Sequence, residues 1–163
     1  MPATRQQLFD RLEELGIASI TVEHEPMFTV EQSTALREAL PGAHTKNLFL
    51  DDKAGRLVLV AAKDDTRVNL KGLSNRLGAG RFSFGKAELL AEVLGVTPGS
   101  VTPFALINDR ARRVVVVVDA ELLKVDEVNF HPLENTATTR VTTRDMMRFI
   151  EACGHEVRIF SLD

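Results

Sequence analysis

The sequence predicts a single α+β domain built around a mostly antiparallel sheet. Three observations lead there. Helical and strand-like segments are interleaved without the regular strand–helix–strand alternation of a doubly wound sheet. Two apolar runs are joined by a short polar connection that suits a hairpin. Five consecutive valines, Val114–Val118, have the β-branched shape of a strand buried on both faces. At 163 residues, 44% hydrophobic and 26% charged, the chain is long enough for one domain with its own core. That composition excludes disorder, collagen-like repeats and disulfide scaffolds.

Element by element, Thr4 with Gln7 forms a capping box, and Leu8, Leu12 and Leu15 share a face before Gly16, predicting a helix over 4–15. The apolar, β-branched run 17–22 reads as a strand, broken by Pro26. Thr29 with Gln32 repeats the capping box ahead of a helix over about 30–40, ended by Pro41-Gly42. Asn47–Leu50 and Leu57–Ala62 read as antiparallel strands around the polar connection 51–56. Leu70, Leu73 and Leu77 keep helical spacing, as do Leu89, Leu90, Val93 and Leu94 ahead of Gly95. Between these helices Phe82 and Phe84 alternate as in a short strand. Phe104–Ile107 and Val114–Val118 are expected to form a central hairpin across Asn108-Asp109-Arg110. The Thr-rich stretch 136–141 precedes a helix from about Thr142 to Cys153, closed by Gly154, and Val157–Phe160 supplies a last edge strand.

Composition limits the chemistry. There is no apolar run near membrane-spanning length and no charged-then-apolar leader, so a cytoplasmic protein that meets no membrane is expected. The one cysteine, Cys153, cannot close an intramolecular disulfide; at a helix C-terminus, where the dipole disfavours thiolate, it is expected to pack. His24, His44, His131 and His155 are the only histidines, and none lies four residues from another on a helix, so no metal or cofactor is called for. Gly78-Ala79-Gly80 lacks the later glycine and Lys-Ser/Thr pair of a phosphate loop and reads as a turn. Net charge is −3, which argues against indiscriminate nucleic-acid binding and against DNA.

Three segments stand out. In Thr45-Lys46-Asn47-Leu48-Phe49-Leu50 the Lys46 ammonium either snorkels to water or points into a pocket. Gly95–Pro103 is the densest turn segment, and amides near Gly99 and Ser100 are candidates to grip an oxyanion; turn chemistry alone also produces such a segment. Asn129-Phe130-His131-Pro132-Leu133-Glu134-Asn135-Thr136 sets a titratable group between an aromatic residue and a proline, as a surface turn or as a site.

Together these segments resemble the YbaK and prolyl-tRNA-editing superfamily, domains that hydrolyse mischarged aminoacyl-tRNA. Lys46 matches the family's pocket lysine, and Gly99-Ser100-Val101-Thr102-Pro103 matches its Gly-x-x-x-Pro loop. Asn129-Phe130-His131-Pro132-Leu133 with Asn135-Thr136-Ala137-Thr138 is most similar to the free-standing PrdX or ProXp-ala branch. The resemblance extends along nearly the whole chain and implies a barrel-like mixed sheet flanked by helices. It implies hydrolysis of alanine wrongly esterified to proline tRNA, without a cofactor, and prolyl-tRNA synthetase or an elongation factor as further partners. Editing of this kind is needed because a missing methylene is worth only about 1–3 kcal/mol to a binding pocket.

On that basis Lys46, Asn47, His131, Gly99 and Ser100 are expected to carry catalysis around a positioned water. Lys46 fixes acyl or ribose oxygens, Asn47 adds a hydrogen bond, the Gly99 and Ser100 amides hold the oxyanion, and His131 orients or accepts a proton. Thr29, Val30, Thr45, Phe49, Thr102, Pro103 and Phe104 are expected to bind substrate, with Val30, Phe49 and Phe104 as apolar walls. Within 63–86, Lys63, Arg67, Lys71, Arg76, Arg81 and Lys86 face only Asp64 and Asp65, a local balance of +4 that leaves −7 for the rest. That stretch is either a solvated helix face or a contact for tRNA phosphates, through Lys63, Arg67, Lys71, Arg76 and Arg81. Two alternatives stay open: a deacylase for cysteine or serine on proline tRNA, and a non-catalytic tRNA-binding homologue.

Overall fold

The computed structural model describes residues 1–26 and 29–163. In chain order the elements are α1 (Arg5–Glu14), β1 (Ile20–Glu23), α2 (Val30–Ala39), β2 (Ala43–Asp51), β3 (Leu57–Lys63), α3 (Leu70–Leu77), β4 (Ser83–Phe84), α4 (Ala87–Leu94), β5 (Val114–Asp119), β6 (Glu127–Phe130), β7 (Ala137–Thr142), α5 (Thr143–Ala152) and β8 (Val157–Phe160). Short 3-10 turns occupy Pro98–Ser100, Pro103–Asn108 and Ala120–Lys124. Both capping boxes are made: Thr4 and Thr29 each accept from the amide three residues on, while Gln7 and Gln32 reach back. Gly78 and Gly95 close α3 and α4 in the left-handed conformation that glycine adopts without steric penalty.

One mixed sheet holds all eight strands, in the order β1-β7-β6-β2-β3-β5-β8 with β4 added on β2. The β1–β7, β7–β6, β2–β3 and β2–β4 ladders are antiparallel; β2–β6, β3–β5 and β5–β8 are parallel. The β2–β3 hairpin and the edge position of β8 agree with the sequence reading. The central hairpin does not. Residues 104–107 fall in the 3-10 turn Pro103–Asn108, because Pro103 at its first position and the Thr102 side-chain cap start a helical turn. The strand Val114–Val118 pairs instead with β3 and β8, both in parallel. The antiparallel pairing of β6 with β7 is additional to the elements expected from the sequence.

The valine run behaves as its shape predicts. Val114, Val116 and Val118 enter one core with Leu57, Leu59 and Ala61 of β3, covered by α1, α4 and α5. Val117 enters the opposite core with Val58, Val60 and Ala62, covered by Leu73 and Leu77 of α3. A strand buried on both faces can be apolar throughout, which is why the run carries no polar alternation.

Candidate active site

The β2–β6 ladder stops after two pairs, Ala43 with Val128 and His44 with Asn129. Beyond it the strands part around a cavity of about 370 Å³. Thr45 and Asn47 wall it from β2, Asn129 and Phe130 from β6, Thr138 from β7, Gly99 from the first 3-10 turn, and His131 and Asn135 from the β6–β7 loop. His24 and Pro26 border it after β1, and Ser33, Leu36 and Arg37 of α2 lie over it. Leu133, in the same β6–β7 loop, holds φ at 71°, a conformation costly for a branched side chain and found mostly where surrounding structure enforces it. A larger groove of about 1000 Å³, between α1, α4 and the Pro103–Asn108 turn, contains no residue of the Lys46 or His131 segments and only Gly95 of the Gly95–Pro103 segment.

His131 is oriented for chemistry. Its Nδ1 stands 2.9 Å from the Ala137 carbonyl oxygen, an acceptor only, so Nδ1 donates and Nε2 is left with a free lone pair. Burial holds the imidazole below its ordinary value of 6.5, and nearby His24 pushes the same way; the Ala137 bond opposes both. His44, whose Nε2 donates to the Leu40 carbonyl at 2.9 Å, is lowered for the same first reason. The His24 ring lies 6.3 Å from that of His131, its Nδ1 bonded to the Glu25 carbonyl and its Nε2 2.8 Å from Thr138 Oγ1.

Not every residue expected at the site is there. Thr45, Asn47, Gly99 and His131 line the cavity. Lys46 does not: it pairs with Ala62 and, by strand alternation, shares the face of Leu48 and Leu50 on the α3 side. The Ser100 amide is spent on the Thr97 carbonyl at 2.9 Å, so it is no free oxyanion donor, whereas the Gly99 amide has no partner among the described residues. The expected apolar walls are displaced. Val30 is 78% exposed, Phe49 is core, and Phe104 packs edge-on against Phe130 and Phe149. The walls are Pro26, Leu36 and Phe130 instead. Thr29 caps α2, Thr102 caps the turn after it, and Pro103 is buried behind that cap.

In the basic segment Lys63 pairs with Asp65 at 3.8 Å, and the Arg76 guanidinium lies 5.2 Å over the Phe160 ring. Arg67, Lys71 and Arg81 are exposed and make no ion pair among the described residues. Asp64, at the start of the segment, lines the cavity and is held by Arg37 of α2. Cys153 packs against the main core, and burial pushes its thiol up to about 11, in agreement with a packing role.

No feature of the sequence signals that His24 and His44 reach the site, and Asn129, Asn135 and Thr138, which stand in the segments quoted around His131, have no role of their own in that reading.

One cavity of this small mixed-sheet domain is thus lined both by a half-buried histidine and by a glycine whose backbone amide has no partner among the described residues. Residues 24–149 match the aminoacyl-tRNA editing domain, and the chain belongs to that family. It is 40% identical over 161 residues to prolyl-tRNA synthetase associated domain-containing protein 1 of Danio rerio, covering 98% of this chain and 88% of that protein. It is 33% identical over 159 residues to the prolyl-tRNA editing protein ProX of Acetoanaerobium sticklandii, covering 97% of each. A crystal structure described as a candidate trans-editing enzyme for prolyl tRNA synthetase superposes with a TM-score of 0.72 at 19% identity, over 98% of each chain, and shares the fold. No helix among the described residues is long and apolar enough to cross a membrane.

Proposed function

We propose that this chain is a cytoplasmic trans-editing deacylase that hydrolyses the ester of alanine on proline tRNA. The observation that carries the proposal is the cavity itself, where the free Nε2 of His131 and the unbonded Gly99 amide border one small space. The names borne by the relatives support proline tRNA as the substrate class and prolyl-tRNA synthetase as a partner.

An aminoacyl ester is activated enough for attack by water, so no covalent enzyme intermediate is required. His131 Nε2 takes a proton from the attacking water, and a neutral imidazole, favoured by burial, is the form able to do so. The oxyanion forms against the Gly99 amide, aided by the Asn47 amide as a second donor. Collapse of the tetrahedral intermediate breaks the acyl–oxygen bond, and the ribose oxygen leaves with a proton returned by His131. Lys46 reaches the terminal nucleotide from outside the cavity as a point charge. Pro26, Leu36 and Phe130 limit the side chain admitted, so alanine enters and proline is refused. Release of alanine, serine, cysteine and proline from charged proline tRNA tests the proposal.

A further inference from the structure

We infer that Phe84 is a stacking platform for an unpaired base of the tRNA 3′ end, upstream of the esterified nucleotide. The inference rests on the deacylase proposal and deepens it by assigning the surface that receives the strand outside the cavity.

The sequence has no Trp and no Tyr, so any aromatic surface open to a base comes from its nine Phe. Among the described residues Phe84 is the one exposed aromatic, at 66%; the other large exposed hydrophobics, Met1, Ile20, Val30, Leu123 and Ile159, carry no ring. A single exposed apolar residue is ordinary, and it is the position of this one that sets it apart.

Strand pairing decides where the ring lies. Leu50 of β2 opposes Phe84 of β4, and residues opposed in an antiparallel ladder share a face. Leu50 and Phe82 both enter the core beneath α3, so Phe84, two residues after Phe82, lies on the α3 side as well. By the same alternation so do Leu48 and Lys46. β6 and β4 both join β2 on the edge away from β3, β6 at Ala43 and His44 and β4 at Leu50 and Asp51. The cavity residues Thr45 and Asn47 fall between them. Four positions, about 13 Å of strand, separate Lys46 from the Leu50–Phe84 pair. A chain whose 3′ ribose is esterified at the cavity therefore passes Lys46 and brings an earlier base to Phe84.

Charge selects the occupant. From Thr66 to Ala91 the chain carries Arg67, Lys71, Arg76, Arg81 and Lys86 against Glu88 alone. Arg81 and Lys86, which flank Phe84 in the chain, are exposed, and neither they nor Lys46 form an ion pair among the described residues. The carboxylates of the adjoining turn are occupied: Asp51 accepts the Lys53 amide, and Asp52 accepts those of Ala54, Arg56 and Gly80. Unpaired cations beside an open ring suit a single nucleic-acid strand, which offers phosphates to the first and a base to the second. A two-fold contact between copies of this chain brings the same cations against one another.

The test is binding, by calorimetry, of three uncleavable probes. They are 3′-deoxyadenosine with alanine joined through a 3′-amide, the same nucleoside ending the trinucleotide CCA, and that trinucleotide with both cytosines removed. Wild type is expected to bind the intact trinucleotide at least about fivefold more tightly than the abasic one. Phe84→Ala and Phe84→Leu are each expected to bring the two within about twofold, Phe84→Tyr to keep the difference, and all three to bind the single nucleoside as wild type does. Melting curves report whether each variant folds, and Phe84→Leu decides if Phe84→Ala does not. Equal wild-type affinity for intact and abasic trinucleotides, a comparison that needs no variant, overturns the inference. So does a preference retained in folded Phe84→Ala or Phe84→Leu, or a loss shared equally by the single nucleoside, which moves the ring to the terminal base. Loss of self-association in Phe84→Ala with trinucleotide binding intact assigns the ring to a contact between copies and also overturns it. Cleavage of alanyl-tRNA without preference for the upstream bases sinks this inference alone. Trinucleotide binding that depends on Phe84, without ester release from any charged tRNA, upholds the platform and sinks the deacylase proposal alone.

Discussion

His131 and His24 stand 6.3 Å apart, ring centroid to ring centroid, and consecutive residues of β7 hold them: the Ala137 carbonyl takes the Nδ1 proton of His131 and the Thr138 hydroxyl meets Nε2 of His24. Burial and the neighbouring imidazole both keep His131 neutral. Deacylation is expected to hold steady near neutral pH and to fall as pH drops through a value below 6.5. Replacing His24 by Leu removes the neighbouring charge and keeps the site apolar, so the inflection in kcat/KM against pH moves upward. An inflection that stays in place contradicts the coupling. The same shifts bear on stability: between the lowered folded-state values of His131 and His44 and their unfolded value of 6.5, the unfolded chain binds protons that the folded chain refuses. Stability therefore declines as pH falls below about 6.5, readable as a drop in Tm.

Lys46 adjoins Asn47 in sequence but occupies the other face of β2. Lys46→Ala is expected to raise KM for charged tRNA several-fold, and Lys46→Arg to recover most of it, since a point charge rather than a wall of the cavity is being removed. Deacylation by Lys46→Ala at the wild-type rate and KM rules out any substrate contact by this residue.

Arg67, Lys71 and Arg81 are exposed cations of the basic segment without ion pairs among the described residues, as are Arg76 and Lys86. Charge reversal at Arg67 and Lys71 is expected to weaken tRNA binding. It also flattens the log–log salt dependence, by about 0.9 for every duplex phosphate that is no longer neutralised. Binding that keeps its salt slope in the double variant makes this surface a solvated helix face.

Phe104 belongs to the core, 1% exposed and edge-on to Phe130 and Phe149. Phe104→Ala is expected to cost about 3–5 kcal/mol in urea unfolding while leaving the amino-acid preference of the folded fraction unchanged. A shifted preference at unchanged stability returns Phe104 to the pocket wall.

Local signals in the sequence carried most of the fold. The capping boxes at Thr4 and Thr29, the glycine stops at Gly78 and Gly95 and the both-face burial of Val114–Val118 all follow from side-chain shape and backbone preference. Long-range pairing was not legible in the same way. Nothing in residues 104–107 announces that Thr102 and Pro103 turn them into a 3-10 segment, or that β5 finds parallel partners at β3 and β8. The site divided along the same line. Short motifs located Thr45, Asn47, Gly99 and His131 and ran through Asn129 and Thr138, but His24 joins them only because β1 pairs with β7, which also pairs with β6. The pocket walls, set by where α2 lies over the sheet, depend on tertiary placement that spacing does not encode.

The most direct test of the deacylase assignment is ester loss from proline tRNA charged with alanine, serine, cysteine or proline and incubated with the purified protein. Rapid release of alanine, retention of proline, and loss of alanine release in His131→Ala are the predicted results. Release of proline as fast as alanine, or no release of any amino acid above the uncatalysed rate, contradicts the assignment.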